Sequence, residues 1–108
     1  MIEDNTYENN IIKIGKNAYE NDQLIKEAKQ TDLWFHLASF PSSHVVLSVD
    51  KNHPVTKNMI KYCAQLVKEN TKYRNSNLKI NYCQIKNVKR TDTSGEVILK
   101  GKVDSIIV

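Results

Sequence analysis

The sequence predicts an α+β fold, a largely antiparallel sheet of about five or six strands packed against one long helix and one short helix. Three observations predict it. Short β-branched or alternating runs recur at 10–14, 33–37, 44–49 and 78–83. A single stretch, 54–73, repeats apolar residues near the 3.6-residue helical spacing. Gly and Pro number only three and two in 108 residues, and 40% hydrophobic with 26% charged residues suits one packed domain.

Taken in order, residues 1–9 are polar and expected to fray, leaving one domain over 10–108. Asn10 to Ile14 is a β-branched strand that Gly15 ends. Asn21 and Asp22 suit the cap of a short helix over about 22–28. Leu33–Leu37 and His44–Val49 read as a hairpin, because Ser39-Phe40-Pro41-Ser42-Ser43 between them is turn chemistry. Pro54 suits a first helical turn, and Val55, Met59, Cys63, Leu66, Val67 and Tyr73 mark the buried stripe of the long helix. Leu78, Ile80 and Tyr82 alternate with Lys79, Asn81 and Cys83 as a half-buried strand. Two closing strands, about 96–100 and 103–108, are joined at Gly101-Lys102.

Several function classes drop out at this level. No apolar run approaches the roughly 20 residues that span a bilayer, and the start, Met1-Ile2-Glu3-Asp4-Asn5, is acidic rather than signal-like. Cys63 and Cys83 lack CxxC spacing and read as free thiols, so a cytoplasmic location is expected by elimination.

The net charge of +4 is unevenly spread. Residues 1–56 hold five Lys against eight acids; residues 57–102 hold eleven Lys or Arg against Glu69, Asp92 and Glu96, a local excess of +8. Such asymmetry suits a polyanionic partner. At about 100° per residue, Lys57, Lys61, Lys68 and Lys72 fall within roughly 60° of arc, opposite the apolar stripe. Like-charge pairs four apart cost about 0.2–0.5 kcal/mol each, which hints at counter-charge from outside; a solvated Lys-rich face is the plainer alternative. Arg74 follows the row, and Lys86, Lys89 and Arg90 form a second cluster. Tyr62, Tyr73 and Tyr82 lie nearby as core rings or as surfaces for a base.

Residues 32–46 hold the only Trp, both Phe and two of the three His. Asp32-Leu33-Trp34-Phe35-His36 resembles the D-x-W-F-H motif of the NFACT-R family, the RNA-binding domain of the ribosome quality-control NFACT proteins. Pro41-Ser42-Ser43-His44-Val45 resembles its P-G-S-H-V motif. Gly15-Lys16-Asn17 with Glu20-Asn21-Asp22 and Leu24, Cys63-Ala64-Gln65-Leu66-Val67, Lys86 with Val88-Lys89-Arg90, and Gly95-Glu96-Val97 follow in the family's order. Ser42 stands where the family carries Gly, and Thr91-Asp92-Thr93-Ser94 replaces a Pro- and Gly-rich loop.

The resemblance implies non-enzymatic binding of structured RNA, transfer or ribosomal RNA, with DNA as a competing polyanion, ribosome-associated proteins as further partners and a link to translation or ribosome quality control. No membrane, metal or cofactor is expected from the hydropathy and ligand spacing read above. Lys57, Lys61, Lys68, Lys72, Arg74, Lys86, Lys89 and Arg90 are expected to meet phosphates. Lys16, Asn17, Trp34, His36, Ser43 and His44 are expected to shape a pocket for backbone or a splayed base.

Other chemistries are weaker. His36 and His44 approach each other if the hairpin forms, and an imidazole pair is an acid–base device for RNA cleavage, yet no third positioned group stands out. His36, His44, Cys63 and Cys83 are zinc-type ligands without zinc spacing. The histidines also suit a structural role, bonded to the turn backbone or to Asp32. A protein-interaction adaptor built on the Trp34–His44 hairpin is the alternative from another class.

Overall fold

The computed structural model describes residues 1–108. The elements run β1 (Ile2–Asp4), β2 (Ile12–Ile14), α1 (Ala18–Glu27), β3 (Leu33–Leu37), β4 (Val45–Leu47), α2 (Lys57–Glu69), β5 (Lys79–Gln84), β6 (Val88–Arg90), β7 (Val97–Leu99) and β8 (Asp104–Ile107), with a 3-10 turn at Ile85–Asn87. Six strands form one sheet in the order β1-β2-β4-β3-β5-β8, every pair antiparallel. β6 and β7 form a separate antiparallel ribbon. The α+β class read from the sequence holds.

Strand alternation divides the core in two. Along β3, Phe35 and Leu37 face one side with Ile12, Ile14, Val45, Leu47 and Ile80, and α2 seals that side with Cys63, Ala64 and Val67. Trp34 faces the other with Val46 and Cys83, covered by Leu24 and Ile25 of α1 and by Ile85 and Val88. Trp34 was expected to line a pocket for RNA. Instead Phe35 and Trp34 are 0% and 1% exposed, because both faces of the sheet are covered.

Helix boundaries follow the caps. Asn17, not Asn21 or Asp22, caps α1, its Oδ1 accepting the Glu20 N–H at 2.9 Å, so the helix begins ahead of the expected 22. Thr56 Oγ1 accepts the Met59 N–H at 3.2 Å and starts α2 after Pro54. The helix closes at Glu69, so Lys72 and Tyr73 lie beyond it, in a turn where the Tyr73 N–H donates to Thr71 Oγ1.

The ends are ordered differently from the expectation. Within 1–9, expected to fray, Ile2–Asp4 pairs with β2, and Tyr62 Oη of α2 donates to Asp4 Oδ2 at 2.6 Å. The two closing strands part company: β7 pairs with β6, while β8 crosses to β5.

Gly15 is required by close approach rather than by backbone sign. A Cβ there would sit 2.2 Å from Asn21 Oδ1 and 2.9 Å from the Asn21 backbone nitrogen. Gly95 turns β6 into β7 at φ +81, with its Cα side against Ala18 of α1.

Candidate nucleic-acid interface

The two motif segments meet through their aromatic rings. Extending the β3–β4 register (Trp34↔Val46, Phe35↔Val45) sets His36 opposite His44, and their ring centroids are 4.8 Å apart, edge to face. Trp34 Nε1–H donates to His44 Nδ1 at 3.0 Å, so His44 keeps its proton on Nε2. His36 stacks on Trp34 with an interplanar angle of 4°, and its Nδ1–H donates to the Leu37 carbonyl at 2.7 Å. Burial, reinforced by the neighbouring His36, pushes the His44 pKa down to about 3. Burial also lowers His36, against the opposing hydrogen bond to Leu37. Both imidazoles are therefore neutral near pH 7, and neither is charged for an acid–base relay.

Backbone amides complete this junction. The His44 N–H donates to Asn21 Oδ1 at 3.1 Å, locking β4 to α1. Asp32 accepts from the Lys29 and Val49 amides, both at 2.9 Å, and so ties the entrance of β3 to the exit of β4. Ser42 Oγ accepts the Leu37 N–H and donates to the Ser43 carbonyl, both at 3.1 Å. No non-Gly residue has positive φ, so a serine in the family's glycine position closes the turn without strain.

The basic residues separate into sets. On the α1 side, a shallow cleft of about 380 Å³ gathers Lys26, Lys86, Lys89, Arg90 and Lys100 beside Gln30, with no carboxylate in its lining. Its walls are pinned by backbone bonds: Ile85 N–H to the Asp32 carbonyl (2.8 Å), Lys86 N–H to Gln30 (3.1 Å) and Lys100 N–H to Asn87 (2.9 Å). A groove of similar size, about 390 Å³, is lined by Glu3, Glu27 and Asp32 as well as Lys13 and Lys29, so charge singles out the first. Within the cleft Arg90 is already neutralised. Its Nε and Nη2 grip Asp22 at 3.0 and 2.7 Å, and that bond holds the Asp22 carboxyl below the usual range. Lys86 and Lys89 remain exposed, joined by Lys26 and Lys100, which the sequence reading missed because they come from separate elements.

Across the sheet, Lys57 and Lys61 stand exposed on α2 and Lys68 is half-buried there, whereas Lys72 has left the expected row. Lys16 follows β2, and Lys72 and Arg74 follow α2, outside the row on that helix. Lys16 Nζ donates to Asn70 Oδ1 at 2.6 Å, and Lys72 Nζ lies 5.4 Å from the Tyr73 ring centroid.

The pocket expected around Lys16, Asn17, Trp34, His36, Ser43 and His44 is largely filled by its own residues. Trp34 and His44 are each 1% exposed and have no surface to offer a ligand. Asn17 is committed to capping α1, while His36 and Ser43 are half-buried in the turn. The zinc-type set is dispersed: Cys63 and Cys83 lie in cores on opposite sides of the sheet, and burial raises their thiols to about 12 and about 11.

Comparison with known proteins agrees with this architecture. The NFACT protein RNA binding domain family matches residues 2–105. Coiled-coil domain-containing protein 25 of Danio rerio is 36% identical over 85 residues, which cover 74% of this chain and 41% of that protein. The Rqc2 homolog RqcH of Streptococcus suis is 41% identical over 71 residues, 63% of this chain and 12% of that protein. The solved C-terminal part of the fibronectin/fibrinogen-binding protein from Streptococcus suis superposes with a TM-score of 0.79 at 30% identity, covering 95% of this chain and 42% of that one. The chain thus spans about two fifths of the first of these relatives and a smaller share of RqcH. With the match running across nearly every element, the chain belongs to the NFACT-R family of RNA-binding domains.

Proposed function

We propose that this domain binds structured RNA, transfer or ribosomal RNA, without chemically altering it, and that the α1-side cleft is its phosphate-binding surface. One observation carries the reading: four lysines, Lys26 of α1, Lys86 of the 3-10 turn, Lys89 of β6 and Lys100 just after β7, converge on a depression whose lining contains no carboxylate. Self-repulsion of that kind is relieved by a polyanion. Family membership favours RNA over other polyanions. The likeness to RqcH supports a link to ribosome quality control, with ribosome-associated proteins as further partners.

The test is fluorescence-anisotropy binding of a transfer RNA, a duplex RNA and a duplex DNA across a salt series. For a phosphate-contacting surface, log K falls with log salt by about 0.9 per phosphate on duplex DNA and about 0.7 on single strands. Changing Lys86, Lys89 and Lys100 together to Glu is expected to weaken RNA binding at least about tenfold and to flatten the slope by about 2–3. Binding of RNA with an unchanged slope in that variant would move the site elsewhere. Failure of all three nucleic acids to bind at low salt would leave the hairpin adaptor as the better reading.

A further inference from the structure

Phe40, at the tip of the β3–β4 loop, is the one large aromatic ring of the hairpin that the core does not take. It belongs to neither core cluster and is 45% exposed. Its ring stacks on Tyr73 with centroids 4.4 Å apart and planes 28° from parallel, while Tyr73 packs inward against the α2-side core. The Tyr73 ring is thus a fixed backing and Phe40 the layer facing water.

The loop that carries Phe40 is held in place. Ser42 stitches it to Leu37 and Ser43, and the Ala38 N–H donates to the Lys79 carbonyl at 2.9 Å. A ring already stacked on a neighbour loses less freedom when something lies on it than a free one does. The surroundings are cationic: Lys72, its Nζ 5.4 Å from the Tyr73 centroid, and the exposed Arg74 follow in the same turn. The loop that carries Phe40, 38–44, and the turn that carries Tyr73, 70–77, contain no Asp or Glu.

We propose that Phe40, backed by Tyr73 and flanked by Lys72 and Arg74, is a stacking platform for one unpaired base of the bound RNA, set apart from the α1-side cleft. A flat apolar ring among unpaired cations matches the two chemistries of a nucleotide, a π-face and a phosphate. The proposal deepens the RNA-binding reading and rests on it. It adds that the preferred ligand carries an unpaired nucleotide, in a loop or at an end, rather than being a continuous duplex.

The experiment compares two RNAs with the same stem, a hairpin with an unpaired loop and a blunt duplex, on the wild-type protein and on Phe40→Ala and Phe40→Trp. The alanine variant is expected to bind the hairpin about tenfold more weakly and the duplex unchanged, with the tryptophan variant retaining wild-type preference. Equal effects of Phe40→Ala on the two RNAs, or no effect on either, would overturn the platform while wild-type binding still upholds the RNA reading. Absence of wild-type binding to both RNAs would overturn the RNA reading and the platform with it.

Discussion

The indole of Trp34 and the imidazole of His44, ten residues apart in sequence, share one hydrogen bond inside a dry core. Replacing Trp34 with Phe removes the donor and leaves the His44 Nδ1 acceptor buried and unpartnered. Such a loss costs about 1–3 kcal/mol, in addition to the shrinkage of the ring. Urea denaturation is expected to show a lowered midpoint in Trp34→Phe, with the RNA affinity of the folded fraction preserved. A wild-type midpoint with weakened RNA binding would return Trp34 to the ligand surface. A structural role for the histidines was legible in the sequence, but their partner was not. Strand parity assigns Trp34 to a face; it leaves open which residue across the hairpin lies diagonal to it. That depends on register, and the 38–44 loop between the strands is too long for its sequence to set one.

At the scale of elements, α1 is held at its start and at its middle. Asn17 caps its start, and Asp22 reaches Arg90 on the ribbon. Asn17→Ala is expected to cost about 1 kcal/mol and to speed amide exchange through the first turn of α1, without altering RNA affinity. A fall in RNA affinity at unchanged stability would instead make Asn17 a ligand contact. The long elements were readable because each repeats its pattern: the 13 residues of α2 and the five and six of β3 and β5 show their buried faces in composition alone. Of the three-residue strands, β2, β4 and β7 lie within runs that read as strands, whereas β1 and β6 carry no such signal. Val88-Lys89-Arg90 reads as a basic cluster, and only its pairing with Val97–Leu99 makes it a strand. Ile2-Glu3-Asp4 is likewise an edge strand whose polar residues suit water on one side. The candidate site followed the same rule. Lys86 and Lys89 were visible as neighbours in sequence, whereas Lys26 and Lys100 joined them only through folding.

For the whole molecule, the sheet stands between two sets of cations, in a body of 34 × 32 × 27 Å. Lys57 and Lys61 lie on α2, across the sheet from the α1-side cleft, so phosphates seated in the cleft are screened from them at physiological salt. Lys57→Glu with Lys61→Glu is therefore expected to weaken RNA binding less than the same number of reversals among Lys86, Lys89 and Lys100. Equal losses in the two variants would mean that the RNA wraps around the molecule. The covered sheet has a broader consequence. Where an open sheet doubles as the reading surface, each ring that touches a base also belongs to the strands that hold the fold together. Here the central strands are upholstered front and back, and what is available to a partner sits on helix flanks, turn tips, edge strands and a short ribbon. Loops of that kind accept change more readily than cores do. A substitution on the rim can therefore change what is grasped while leaving the interior alone, fittings exchanged on an untouched chassis.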